Sequence, residues 1–146
     1  METEKLYLVD TSAWIWALRK GGVEKVRSRI DELLALDRVA TIPMIELELL
    51  GGAGTEREFA ILQDRLDGLH RLALDDECWQ KAARLAFDLR RKGLTIPFTD
   101  IVVAAVALVN GAVVLHADED FDLIALHVPL LVESLVEGVR LAEQQG

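Results

Sequence analysis

The sequence of 146 residues predicts an α/β protein, folded as a three-layer α/β/α sandwich around a central parallel sheet. Two apolar runs, at residues 6–9 and 113–115, each lead directly into a polar segment with an acidic residue and the start of a helix. This pattern is typical of the βα corners of a parallel sheet. Hydrophobic residues make up 51% of the chain, as expected for a sheet that is covered on both faces.

Local patterns predict the elements of the first half. Residues 5–9 form a buried strand, and a helix follows from about 12 to 19, where Gly21 and Gly22 end it. Apolar residues at helical spacing predict a second helix over 23–36, followed by a short strand over 39–42. Pro43 suits the first turn of a third helix, which glycines end near residue 51.

The second half continues the alternation of strands and helices. A capping box at Thr55 and Glu58 starts a helix to about residue 67. An almost wholly apolar helix begins at Thr99 or Asp100 and should be buried on all sides. The remaining elements are a strand over 69–74, a helix capped by Asp75 or Asp76 that runs to 91 and stops at Gly93, a strand over 112–116, a helix over 121–126, a strand over 129–132 and a helix over 134–144. Because no linker or repeat divides the chain, we expect a single domain over residues 1–146.

Composition restricts the cellular setting. The single cysteine, Cys78, allows no intrachain disulfide and fits a reducing compartment. No basic segment precedes an apolar one at the N-terminus, as a signal peptide would require. The longest apolar run, 101–109, is far shorter than the roughly 20 residues of a membrane-spanning helix. We therefore expect a cytoplasmic protein with no membrane contact.

The net charge of −9 would ordinarily argue against a nucleic-acid partner. The basic residues, however, gather in the segments 19–29 and 81–92, and only Arg140 follows them. Solvated helix faces are the simpler interpretation of either segment alone. The candidates for contact with RNA are Arg19, Lys20, Arg84, Arg90, Arg91 and Lys92.

Four acidic residues fall at equivalent places in the predicted fold. Asp10 ends the first strand, Glu46 lies one turn into the helix after the second, Asp100 begins the apolar helix, and Asp118 follows the fourth strand. Each has a simple explanation alone, since aspartates commonly cap helices or occupy solvated turns. In an open α/β sheet, however, the carboxyl ends of the strands meet at the edge where ligands bind. The joint placement therefore predicts a shared site.

Electrostatics indicate what this site holds. Two unit charges about 4 Å apart repel by roughly 4 kcal/mol at an effective dielectric constant of 20, so clustered carboxylates need a cation or must take up protons. Mg²⁺ and Mn²⁺ prefer such oxygen ligands. Asp10, Asp100 and Asp118 are the candidate metal ligands, with Glu46 completing or orienting the coordination shell. Zinc is not expected, because Cys78 is the only cysteine and the three histidines show no ligand spacing.

The motifs at residues 9–12, 43–46, 98–100 and 118–121 together resemble the PIN domain, and more closely the VapC-type toxins of bacterial and archaeal toxin–antitoxin pairs. The resemblance spans nearly the whole chain. It implies a PIN-like sandwich and an endoribonuclease dependent on Mg²⁺ or Mn²⁺. The positions that match the family's catalytic acids are Asp10, Glu46, Asp100 and Asp118.

The resemblance also implies supporting residues and partners. Asp120 matches a frequent fifth acid, Thr11 and Ser12 match a pair whose hydroxyl supports the site, and Thr99 precedes the third acid in its motif. Ala117 is a departure, because many relatives carry Thr or Ser there. The partners implied are an RNA substrate, a small cognate antitoxin that places Arg or Lys in the acidic pocket, and a second copy of the chain in a homodimer.

The resulting hypothesis is metal-assisted hydrolysis of a phosphodiester in single-stranded or loop RNA. An aspartyl phosphatase would need a second acid two residues after Asp10, where Ser12 stands, and a distal lysine, whereas none follows Lys92. A phospho-accepting receiver domain would also need a lysine near its last strands. A PIN-fold RNA-processing or scaffold protein outside a toxin–antitoxin pair remains the alternative.

Overall fold

A five-stranded parallel sheet forms the centre of the protein in a computed structural model that describes residues 4–145. The strand order is β3-β2-β1-β4-β5, and the α/β/α sandwich predicted from the sequence is confirmed. The strands are β1 (Tyr7–Val9), β2 (Val39–Thr41), β3 (His70–Arg71), β4 (Val113–His116) and β5 (Leu131–Ser134). The helices are α1 (Thr11–Leu18), α2 (Glu24–Ala35), α3 (Pro43–Gly51), α4 (Glu56–Asp67), α5 (Asp76–Arg91), α6 (Phe98–Asn110), α7 (Glu119–Ala125) and α8 (Val136–Gln145).

The central strand β1 aligns the two acidic corners. It pairs with β2 on one side and with β4 on the other, where Val9 lies opposite Leu115. Because all strands run in the same direction, their carboxyl ends lie at one edge of the sheet. The segments that follow β1 and β4 therefore start side by side.

Apolar burial holds the helices on the sheet. The seven successive residues 101–107 of α6 are all buried, as the wholly apolar pattern of this helix predicts. Phe121 on α7 is fully buried and packs against the His116 ring at the end of β4, with the ring centroids 5.1 Å apart. The helices that contribute acidic residues to the sheet edge are thus anchored by core contacts.

Several element boundaries differ from the sequence-based prediction. The third strand contains only His70 and Arg71, because it forms the sheet edge and pairs only with β2. The last strand begins at Leu131, two residues later than predicted, since Pro129 has no N–H for the ladder with β4. Helix α7 begins at Glu119, two residues early, because Asp118 caps it. The predicted caps at Thr55 and Asp75 are confirmed, each accepting a hydrogen bond from a backbone N–H three residues on.

A half-buried ion pair fastens β5 to α2. The Arg29 guanidinium donates to both carboxylate oxygens of Glu133, at 2.7 and 2.9 Å, and lies 5.3 Å from the centroid of the Tyr7 ring. These hydrogen bonds raise the pKa of Arg29 above its usual value. The pair holds the last strand against the first half of the chain.

Within the described residues, no helix is long and apolar enough to cross a membrane.

Candidate active site

Two acidic corners lie together at the carboxyl edge of the sheet. Asp10 follows β1 and Asp118 lies two residues after β4. The Asp10 N–H donates to the Leu115 carbonyl at 2.9 Å, so the backbone ties the two corners directly. Both aspartates also cap the helices that follow them, Asp10 through the N–H of Ser12 and Asp118 through the N–H of Asp120. Asp10 and Asp118 can therefore cap their helices and still belong to a shared site.

Three carboxylates converge at this edge. Asp100 lies in the first turn of α6 and does not cap the helix. One carboxylate oxygen each from Asp100, Asp118 and Asp120 lies within 4.8 Å of the others. Asp120, predicted only as a supporting residue, thus joins the innermost group. Asp10 is almost fully buried beside this group, and its charge acts on Asp100.

The proximity of these acids changes their protonation. Burial, together with the charges of Asp118 and Asp10, raises the pKa of Asp100 to about 8. Burial also raises the pKa of Asp10, although the hydrogen bonds from Ser12 partly offset it. The pKa of Asp120 is raised by burial and by the charge of Asp118. At neutral pH the metal-free site therefore holds a proton on Asp100 instead of a full set of negative charges.

A serine hydroxyl joins the two corners. Ser12 Oγ donates to Asp10 Oδ2 at 2.6 Å and accepts from the Ala117 N–H at 3.0 Å. The bond to Ser12 uses the backbone N–H of residue 117 and not its side chain. The alanine at this position therefore still holds the corner after β4 to the corner after β1. Thr99, in contrast, makes no side-chain hydrogen bond to any other residue within 4–145.

The structure does not bring Glu46 to the cluster. Its buried carboxylate accepts from Arg71 Nε at 2.8 Å and also from a second nitrogen of the same guanidinium. Glu48 instead lies beside Asp10: it accepts from Thr11 Oγ1 at 2.9 Å, and its charge contributes to the raised pKa of Asp10. Residues two apart on a helix face different directions, so only one of these glutamates can face the first corner.

The glutamate beside Asp10 is therefore a residue that the sequence analysis missed. The available signal was the second glutamate on the same predicted helix, two residues after Glu46. Its apolar neighbours on both sides resemble those of Glu46, so composition alone did not separate the two. The packing of α3 against the sheet decides which way each glutamate points. The ion pair with Arg71 explains how the Glu46 carboxylate can be buried.

His116 supports the second corner, a role that its sequence context did not indicate. The fully buried ring accepts the Asp118 N–H on Nδ1 at 3.1 Å. Nε2 lies 3.2 Å from Asp122, whose other oxygen accepts the Ser134 hydroxyl at 2.9 Å. Burial lowers the pKa of His116 despite the neighbouring carboxylates. A neutral imidazole thus holds the backbone of Asp118 and lies next to Asp122.

The structure separates the two predicted groups of basic residues. Arg19 and Lys20 follow the C-terminus of α1, whose N-terminus Asp10 caps. An eight-residue helix places them about 12 Å away along its axis. Arg19 lies instead over the Trp16 ring, 4.3 Å from its centroid. These two residues are therefore distant from the acids.

The second basic group lies nearer to the site. Arg90, Arg91 and Lys92 end α5, and a cavity between α5 and the start of α6 includes Arg90. Arg84 forms an ion pair with Asp88, one turn further along the helix. The end of α5 therefore lies beside the helix turn that contains Asp100.

Comparison with known proteins places this geometry in a family. The family model of the PIN domain matches residues 7–126. Ribonuclease VapC11 of Mycobacterium tuberculosis is 35% identical over 125 residues, covering 82% of this chain and 92% of its own. Ribonuclease VapC18 of the same species is 32% identical over 124 residues, covering 82% and 88%.

Solved structures agree in fold. The crystal structure of VapBC2 from Rickettsia felis, bound to a DNA fragment from its promoter, includes a chain that superposes with a TM-score of 0.74 at 20% identity. The superposition covers 88% of this chain and 98% of that one. The resemblance drawn from the four sequence motifs is thereby confirmed. The chain belongs to the PIN domain family and, within it, to the VapC group.

Proposed function

We propose that this protein is a metal-dependent endoribonuclease and the toxin of a toxin–antitoxin pair. The observation that supports this most strongly is the convergence of Asp100, Asp118 and Asp120 next to Asp10. No lysine or arginine nitrogen within residues 4–145 lies within 4.0 Å of these four carboxylates. The names of the VapC relatives support RNA as the substrate.

The donor set fits a hard divalent cation. All the converging ligand atoms are carboxylate oxygens, which suits Mg²⁺ or Mn²⁺ and not zinc. Asp100, Asp118 and Asp120 would hold the ion, with Asp10 beside them as a direct or water-linked ligand. When bound, such an ion lowers the pKa of a coordinated water and stabilises negative charge on the phosphoryl oxygens.

The protein's own residues supply orientation. Ser12 fixes the Asp10 carboxylate, and His116 fixes the backbone of Asp118. Thr11 orients Glu48, which is exposed at the rim and has no cationic partner among the described residues. We assign Glu48, and not Glu46, the role of positioning water near the scissile phosphate. Because the acids are recessed, single-stranded or loop RNA can reach them better than a regular duplex.

The toxin assignment needs a partner surface, and our candidate is formed by α1, α2 and α4. They enclose an apolar groove of about 610 Å³, lined by residues that include Trp14, Leu18, Leu34 and Leu66. We propose that an apolar segment of a small antitoxin binds there. The VapBC complexes among the similar structures support this partner class. We also propose that two copies of the chain associate and that the enzyme cleaves RNA in the cytoplasm.

RNA cleavage should require both the metal and Asp100. Cleavage of structured RNAs should occur with Mg²⁺ or Mn²⁺, stop in excess chelator, and fall at least about 100-fold in Asp100→Asn, because the ion contributes several kcal/mol to transition-state stabilisation. Gel analysis of end-labelled RNA measures this. Thermal unfolding provides the control: asparagine needs no proton on folding, unlike Asp100 with its raised pKa, so the metal-free variant should be at least as stable. Undiminished cleavage in chelator or in Asp100→Asn would contradict the proposal.

The two glutamates of α3 should behave differently. Glu48→Gln should reduce cleavage roughly 10- to 100-fold, as expected for a residue that orients the groups around a metal. Glu46→Gln, its matched control on the same helix, should retain most of the cleavage and instead lower the stability against urea. The opposite ranking of the two variants would show that Glu46 is the functional acid.

The groove between α1, α2 and α4 should bind the antitoxin independently of catalysis. Leu34 is 41% exposed, so Leu34→Asp should fold normally and cleave RNA while losing its complex with the cognate antitoxin. Gel filtration after co-expression measures complex formation. Leu141→Asp, at a leucine on α8 that is 49% exposed, is the control. An intact complex in Leu34→Asp would exclude this groove as the binding site.

A further inference from the structure

An exposed aromatic surface lies next to the acids, on another face of the helix that contains Asp100. Phe98 is the first residue of α6, and its side chain is 70% exposed. Asp100 is only about 3 Å further along the helix axis, but residues two apart face different directions. Ile101, which shares a face with Phe98, lines a cavity together with it. This surface is therefore adjacent to the candidate metal centre without being part of it.

A second aromatic ring and a guanidinium complete this surface. The cavity has a volume of about 210 Å³, and Phe87 and Arg90 of α5 line it together with Phe98. Phe87 is 51% exposed, although it lies in the last turns of α5 among charged residues such as Asp88 and Arg91. Two large aromatic side chains exposed at one cavity are unusual on a surface whose function is only to be solvated.

The charge around the cavity is positive in a chain of net charge −9. The guanidinium carbons of Arg84 and Arg91 lie 5.4 and 5.5 Å from the centroid of the Phe87 ring. No carboxylate within residues 4–145 forms an ion pair with Arg90 or Arg91. Their charges are therefore available to an anionic partner.

We propose that Phe98, Phe87 and Arg90 form a subsite that stacks an unpaired nucleobase next to the phosphate cleaved at the acids. Aromatic rings stack on any base face, while neighbouring guanidinium groups contact the flanking phosphates. The adjacency of Phe98 and Asp100 on α6 lets one strand occupy both places. This inference rests on the proposed ribonuclease function and adds a preference for substrates with an unstacked base beside the cleavage point.

The same charges disfavour a second copy of the chain as the occupant. A twofold symmetric dimer brings the same patch of both subunits together. On this face it would bury the unpaired Arg90 and Arg91 of both subunits in one interface, where like charges would repel one another. A polyanion, in contrast, complements these groups.

Binding and cleavage assays on Phe98 variants test the subsite. In an Asp100→Asn background, an RNA with 2-aminopurine beside the cleavage position should lose fluorescence on binding, and Phe98→Ala should abolish this quenching while Phe98→Trp keeps it. In the otherwise wild-type enzyme, Phe98→Ala should raise KM roughly 5- to 100-fold, the range expected for loss of one stacked base, with a smaller effect on kcat. Phe59→Ala, at an exposed phenylalanine on α4, should change neither value.

The outcomes separate the two proposals. If the wild-type protein cleaves RNA but Phe98→Ala binds and cleaves it equally well, the subsite is wrong and the ribonuclease function stands. If the wild-type protein cleaves no RNA with any divalent metal, the proposed function fails and the subsite fails with it. If gel filtration shows that Phe98→Ala turns a dimer into a monomer, the surface is an interface between copies, which would also overturn the subsite.

Discussion

The mutual repulsion of carboxylates at the carboxyl edge of the sheet is the constraint on which the site depends. Parallel strands β1 and β4 lie side by side, so Asp10 and Asp118 meet, and the core packing of α6 adds Asp100 to them. Two less exposed acids elsewhere have arginine partners: Arg71 binds Glu46 and Arg29 binds Glu133. At this edge the acids have no such partner within residues 4–145, and the pKa values of Asp10, Asp100 and Asp120 are raised. A divalent cation would relieve this repulsion.

The surroundings hold these acids in place although they repel one another. Ser12 links the corners of β1 and β4 with two hydrogen bonds, so neither corner can move alone. The imidazole of His116 accepts the N–H of Asp118 and lies 3.2 Å from Asp122, which accepts the hydroxyl of Ser134 on β5. Such support keeps the ligand oxygens positioned before any ion binds, and it reduces the reorganisation that binding requires.

Local sequence patterns were sufficient to predict the strands, the buried helix and three acids of the site, because apolar runs and caps act over a few residues. They could not decide between Glu46 and Glu48, since this depends on how α3 is rotated against the sheet and on Arg71 in an edge strand only two residues long. The support from His116 could not be predicted either, because it depends on the burial and orientation of the ring at the end of β4, which packing against Phe121 sets.

Proton release on metal binding tests the central claim most directly. With a pKa of about 8, Asp100 is largely protonated at pH 7 in the metal-free protein, so a bound cation must displace this proton. Calorimetric titration with Mn²⁺ in two buffers of different ionisation enthalpy should show release approaching about one proton per ion. The release should shrink as the pH rises past the pKa and disappear in Asp100→Asn. Tight binding without proton release, or no binding at millimolar Mn²⁺, would contradict a repelled cluster that a cation stabilises.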